Sequence, residues 1–336
     1  MKFPLFFIVS FFSIVSMQAF SIEKDPCISN DACCEKIEPG PFAFAYPKDT
    51  SLECPKNFSM SASFLWMAFY EEGLEYAINV NEMTTVKEKL EFNPGFRVNL
   101  SYDNDIFYIN IGWTYIKFKD DSIAQPGTDG LLGLFLPPET GSLTGASSRI
   151  SGDFNALDMN ISKPYHVSRY FISSPKVGIQ AAWIDQDYHL RYYTINRKHN
   201  VYNKNDFWGI GLEAGYDAEF IIGKNFTLYA NVLSALLFSK FDISQIAQTL
   251  TIYHYQLSDS FFKVIPNAKI GLGFTWSKMF DKKTIKAKLK VGYEFQQWWS
   301  MNQLRRPMDI DPSAFKSVAR NDLTFNGLVV TINLDI

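Results

Sequence analysis

The sequence predicts an all-β chain: a transmembrane, antiparallel, up-and-down β-barrel of about 10 strands (10–12), with short periplasmic turns and longer external loops. Three observations predict it. Apolar and polar residues alternate over long stretches, many of these stretches exceed ten residues, and short and long connections take turns along the chain. Successive side chains of a strand point to opposite faces, so each stretch has one greasy and one polar face. A tilted strand needs about 9–11 residues to cross a membrane, against the five or six typical of a soluble sandwich.

The elements follow in order. The opening MKFPLFFIVSFFSIVSMQAFS carries a lysine at position 2, an apolar core through Val15 and small residues before a cut after Ser21. That is the pattern of a cleaved signal peptide over 1–21. Residues 22–59 then form a cysteine-bearing N-terminal periplasmic segment, and 60–336 the barrel. All four cysteines, Cys27, Cys33, Cys34 and Cys54, fall in that segment and are disulfide candidates, since an exported chain meets an oxidising compartment. Cys33 and Cys34 are adjacent, so each most simply pairs with Cys27 or Cys54, and cross-links between chains stay open. Neither a CxxC unit nor a nearby histidine supports zinc.

The barrel begins in 62–80, interrupted at Glu71-Glu72-Gly73. In 92–102, Phe96, Val98, Leu100 and Tyr102 oppose Arg97, Asn99 and Ser101; in 106–116, Phe107, Ile109, Ile111, Trp113 and Tyr115 oppose Asn110, Gly112 and Thr114. Residues 149–161 lose phase between Phe154 and Leu157, which reads as a bulge. In 207–220, Trp208 through Phe220 share one face, and Glu213, Asp217 and Glu219 lie on the other with three glycines. The apolar face of 226–238 runs from Phe226 to Phe238, and in 267–276 Ala268 through Trp276 oppose Lys269. Residues 285–296 set Lys286, Lys288, Lys290 and Glu294 against Ile285 through Phe295, and the end alternates from Leu328 to Ile336.

Tight connections fall at Asp103-Asn104-Asp105, Lys163-Pro164, Gly223-Lys224-Asn225 and Asp281-Lys282-Lys283; the longer ones are 119–147, 196–205, 244–261 and 299–321. An even strand count then puts both chain ends on the short-turn side, as in a bacterial outer-membrane barrel. Phe107, Trp113, Tyr115, Trp208, Phe220, Phe226, Phe238 and Trp276 close the ends of apolar faces and form the expected aromatic girdle. The ionic faces therefore look into the lumen. Arg97, Lys269, Lys286, Lys288 and Lys290 are expected on one side of a passage and Glu213, Asp217, Glu219 and Glu294 on another, a transverse field that selects polar solutes. Internal salt bridges filling a narrow barrel are the plainer alternative, because about eight strands are just filled by side chains and open channels need about 16–18.

Other chemistry finds little support. The net charge is -3 and no basic tail exists, so nucleic acid is not an expected partner. His166, His189, His199 and His254 share no metal-ligand spacing; Gly141-Ser142-Leu143-Thr144-Gly145 has the wrong order for a nucleophile elbow. Asp103-Asn104-Asp105 and Asp185-Gln186-Asp187 lack the later glycine and glutamate of a calcium loop. No cofactor, metal or catalytic residue is expected.

The stretches GIQAAWIDQ, NDFWGIG, FTLYAN and YEFQQWW, in that order and with FNPGFRVNLSYDNDIFYINIGWTY before them, resemble the pore-forming major outer-membrane protein family of Legionella and chlamydia-like bacteria over about 60–336. The resemblance implies an abundant, trimer-prone or surface-clustered barrel with porin-like permeability and no catalytic residues. It also motivates disulfide-linked envelope partners for the cysteine segment. Such barrels commonly end in an aromatic residue, whereas this chain ends in Ile336, and its regular last strand is expected to tolerate the change. The expected function is a non-enzymatic outer-membrane porin passing ions and small hydrophilic solutes, with outer-membrane lipid as solvent and a homo-oligomer as a further partner. The alternative is a structural or adhesive surface protein whose loops 119–147 and 299–321 meet a host or neighbours.

Overall fold

A computed structural model describes residues 58–335, apart from 81, 88–90, 104–106, 125–129, 137–141, 169, 224, 250–251, 281–284, 308–314 and 318–320. The signal peptide, Cys27, Cys33, Cys34, Cys54 and the central residues of the turns at 104–105 and 281–283 lie outside the described residues. Ten long strands make the wall: β1 (Phe58–Glu71), β2 (Phe92–Asp103), β3 (Tyr108–Ala124), β4 (Gly145–Ser162), β5 (Phe171–Tyr193), β6 (Lys198–Ile221), β7 (Phe226–Thr249), β8 (Ile252–Phe280), β9 (Ile285–Asn302) and β10 (Asn321–Asp335). Each pairs antiparallel with its successor, and β1 pairs with β10 from Ser59↔Asp335 to Glu71↔Leu323. The sheet is therefore a closed barrel. Closure leaves no unpaired edge, which lipid would penalise by several kcal/mol per polar group. A short eleventh strand, Tyr165–Ser168, follows Pro164 and pairs with the start of β5.

Every predicted girdle residue lies on the outer face. Phe107, Phe220, Phe226 and Trp276 stand near the short turns, and Trp113, Tyr115, Trp208 and Phe238 near the other end of an aliphatic band. That band is the membrane-spanning part. The strands, however, run well beyond it. On β7 the outward residues Phe226, Val232, Leu236 and Phe238 give way to Lys240, Asp242 and Ser244, while the inward ones change from Asn231 to Leu237, Phe241 and Ile243. Above the belt, water lies outside the wall and apolar side chains fill the inside, as in a soluble protein.

This inversion corrects several expectations. Segments 196–205 and 244–261 are mostly strand, continuing β6, β7 and β8, because only one of their faces meets water while Val201, Ala247 and Tyr255 pack inward and Asn203 bonds Gln245 inside the wall. Segment 119–147 contributes the ends of β3 and β4 and a short strand Leu131–Gly133. The loss of phase in 149–161 is no bulge, since β4 stays in unbroken register with both neighbours. Phe154 points inward above the belt and Leu157 outward within it. The Glu71-Glu72-Gly73 interruption is real: β1 ends there, Gly73 takes φ 83, and Ala77–Asn79 joins a separate small sheet with Thr84–Val86 and Leu131–Gly133.

Candidate functional site: the bore

The bore is built from the inward side chains in three layers. The lowest opens toward the short turns and is wet. Lys288 pairs with Asp335 at 2.7 Å, Lys176 with Asp217 at 2.8 Å, and Lys290 approaches Glu219 at 3.9 Å. Asp217 and Glu219 remain 37% and 36% exposed there, so water reaches this mouth. Lys286 faces Asp335 in register. Tyr229 lies across the glycines of β8 and β9: a Cβ on Gly292 would collide with its hydroxyl. These glycines make room for one aromatic ring rather than for a passage.

Above it is a polar layer that crosses the bore. Arg97 on β2 reaches Glu294 on β9, three positions round the ring, by two hydrogen bonds of 2.8 and 2.7 Å, and its Nε donates to Thr114 at 2.9 Å. Gln296 donates to the same carboxylate at 2.6 Å. From β8, Asn267 donates to Gln180 at 2.6 Å, Gln180 donates to Asp158 at 2.6 Å, and Lys269 stands 3.9 Å from Asp158. Glu213 is buried and accepts from Asn160 at 3.1 Å. All nine expected lumen residues thus face inward. Most interleave as acid–base pairs rather than forming two opposed rings, and Glu213 is held by an amide instead. The bidentate Arg97–Glu294 pair is of the strong kind.

The third layer is apolar and has no counterpart in the expectations. Phe154 meets Trp298 at 5.5 Å and Phe325 at 5.0 Å; Phe207 meets Phe241 at 5.1 Å; Phe69 stacks on Phe118 at 4.2 Å. Between the aromatic and polar layers, the cavity lined by Phe154, Asp158, Gln180, Lys269 and Trp298 offers about 10 Å³ to the centre of a water molecule. That is room for about one water.

External loops then cork the outer mouth. Three wall tyrosines hold loop carbonyls: Tyr188 donates to Leu74 O at 2.6 Å, Tyr192 to Tyr76 O at 2.8 Å and Tyr255 to Phe135 O at 3.0 Å. Arg306, in the predicted loop 299–321, donates to the carbonyls of Gly73 and Glu75 at 2.9 and 2.8 Å and lies 5.1 Å over the Phe135 ring. Arg305 pairs with Asp259. The two arginines therefore fasten the mouth. At the outer rim, the Thr249 hydroxyl contacts both His199 Nδ1 (2.5 Å) and His254 Nε2 (2.6 Å), two residues far apart in sequence that the register of β6, β7 and β8 brings together. Burial first, then neighbouring charge (His254 and Arg197 on His199; Arg197 on His254), pushes both imidazoles below their ordinary value.

A closed strand ring with an apolar outer belt and a charged interior defines a transmembrane barrel of a bacterial outer membrane. Residues 53–336 match the family described as the Legionella pneumophila major outer membrane protein precursor, and the chain belongs to that family. Among solved structures it is similar to the outer membrane protease OmpT of Escherichia coli (10% identity, TM-score 0.44, covering 83% of this chain and 96% of that one). It is also similar to the toluene transporter TodX of P. putida (6% identity, TM-score 0.28, covering 84% and 90%) and to a Pseudomonas aeruginosa FadL homologue (7%, 0.25, 88% and 95%). Likenesses at this level carry no argument about activity. None of the curated proteins compared with the chain matches it.

Proposed function

We propose that the chain is a structural surface protein of the outer membrane, a wall whose folded bore is shut to hydrophilic solutes and whose upper half is held out as a rigid β scaffold. The observation that carries this reading is the Arg97–Glu294 pair spanning the bore beneath the Phe154–Trp298–Phe325 layer. A solute would have to part a desolvated ion pair and then an aromatic core, each costing several kcal/mol. The reading assigns the chain no chemical step. Planar-bilayer recording of the folded protein tests it: a silent membrane is expected, and discrete, reproducible conductance steps would overturn it.

Porin-like passage of ions is the second reading, and the wet lower mouth favours it. Lys290, Glu219 and Asp217 are partly exposed and present the charges an ion would meet first. If steps are recorded, reversing Lys286, Lys288 and Lys290 is expected to shift the reversal potential, and an unchanged potential removes these lysines from the path.

A further inference from the structure

The outer surface above the belt is arranged in levels. Immediately above Trp183 and Trp208, outward aspartates face one another in register across four strands: Asp153, Asp185, Asp206 and Asp242. Two residues higher, Asp187 opposes Lys204. Higher still the sign changes. Arg149 on β4, Arg191 on β5 and Lys198 on β6 share the outward face as successive diagonal neighbours, since Arg149 opposes His189, and Tyr193 opposes Lys198. Diagonal neighbours of this kind stand about 7–8 Å apart.

The three cations surround a flat patch, the His189 and Tyr202 rings stacked at 4.3 Å and 14°. Tyr202 is 43% exposed. Burial first, then the charges of Arg191, Lys198 and Arg149, push the His189 imidazole down, so the patch presents a neutral ring among cations. Of these cations Arg149 already holds Asp121 (2.5 Å), which Lys119 shares at 3.3 Å, so the local balance stays positive.

We propose that this face of β4, β5 and β6 docks the phosphorylated sugar headgroup of the outer leaflet's own glycolipid. Two arguments single out that partner. The first is reach. His189 lies six residues beyond Trp183 on a strand rising about 3.3 Å per residue at a tilt near 40°, which sets the patch about 15 Å above the interfacial tryptophans. Sugars attached to outer-leaflet lipids occupy that height beside any barrel. The second is charge. Arginine and lysine along a line suit phosphate oxygens, and a stacked aromatic pair gives the sugar ring a flat apolar floor. Beneath it Lys204 pairs with Asp206 and Lys240 with Asp242 at 2.8 Å each, which leaves Asp153 and Asp185 to repel phosphate at the belt's edge and makes the basic line the nearest region of net positive charge.

The test titrates the purified full chain with rough lipopolysaccharide, intact or enzymatically dephosphorylated. Wild type is expected to bind the intact form at least about ten-fold tighter, with the preference falling as salt rises. The double variant R191E/K198E is expected to abolish the preference, and the milder R191Q/K198Q to reduce it. Heat-shifted electrophoretic mobility verifies that each variant is folded. Equal binding of the two glycolipid forms by wild type overturns the proposal. So does a folded R191E/K198E that keeps the preference, and so does a heparin fragment bound as tightly as the intact glycolipid, which would make the partner a soluble polyanion.

Discussion

Asn231 and Phe241 stand on the same inner face of β7, yet they inhabit opposite worlds. Around Asn231 the wall is greasy outside and polar within; around Phe241 it is polar outside and greasy within. The backbone ladder is continuous between them, with each strand paired through both zones. The difference teaches that a barrel wall has no intrinsic inside. Its amphipathy follows whatever solvent surrounds each level, lipid below and water above.

The sharpest way to break the comparison is to place one charge at the two levels. Phe241→Lys buries an unpaired ammonium among Phe207 and Phe261 and is expected to cost more than about 5 kcal/mol, whereas Thr227→Lys, on the same strand and face near the wet mouth, should cost under about 0.5 kcal/mol. Urea titration in lipid vesicles measures both, and equal costs would erase the two-zone picture. Within the polar layer, Arg97→Ala leaves Glu294 buried without its cation and is expected to lose about 3–5 kcal/mol. Replacing both residues by apolar ones of similar size should lose much less, and a double variant as unstable as the single one would show that the pair acts through something besides charge.

The rim supplies a pH contrast with the core. His199 and His254 are held neutral in the fold, so an unfolded strand end takes up protons more readily than the folded one. Their contribution is intact above the ordinary imidazole value of about 6.5 and is lost as pH falls below it. Hydrogen exchange at the ends of β6, β7 and β8 should quicken on acidification while the belt stays protected, and His199→Asn should flatten that step. The smallest effect concerns the outer charge row: Asp185→Asn relieves like charges facing one another and is expected to stabilise by about 0.2–1 kcal/mol at neutral pH, read as a small rise in Tm.

Much of the lower zone was legible from the chain alone, because lipid demands an unbroken apolar face and leaves a clean period of two. The strands carrying Phe226–Phe238 and Lys286–Glu294 are instances, as is the inward aim of all nine ionic residues. What escaped was the upper zone. There the polar side faces water and reads like loop, so the alternation alone ends the strand near Phe238, whereas β7 continues to Thr249. The signal was present as apolar residues in the polar phase: Leu233, Leu237, Phe241 and Ile243. Pairing of Arg97 with Glu294, and of His199 with His254 through Thr249, depends on ring closure and register, which no local pattern contains.

The seam between β1 and β10, stapled by Ser63 and Thr331 at 2.8 Å, has a consequence for biogenesis. The first strand to emerge must wait, raw-edged and adhesive, until the final one arrives. A molecule clipped anywhere before Asn321 keeps two hungry borders in a solvent that forgives neither, so export and insertion have to be concluded as a single event.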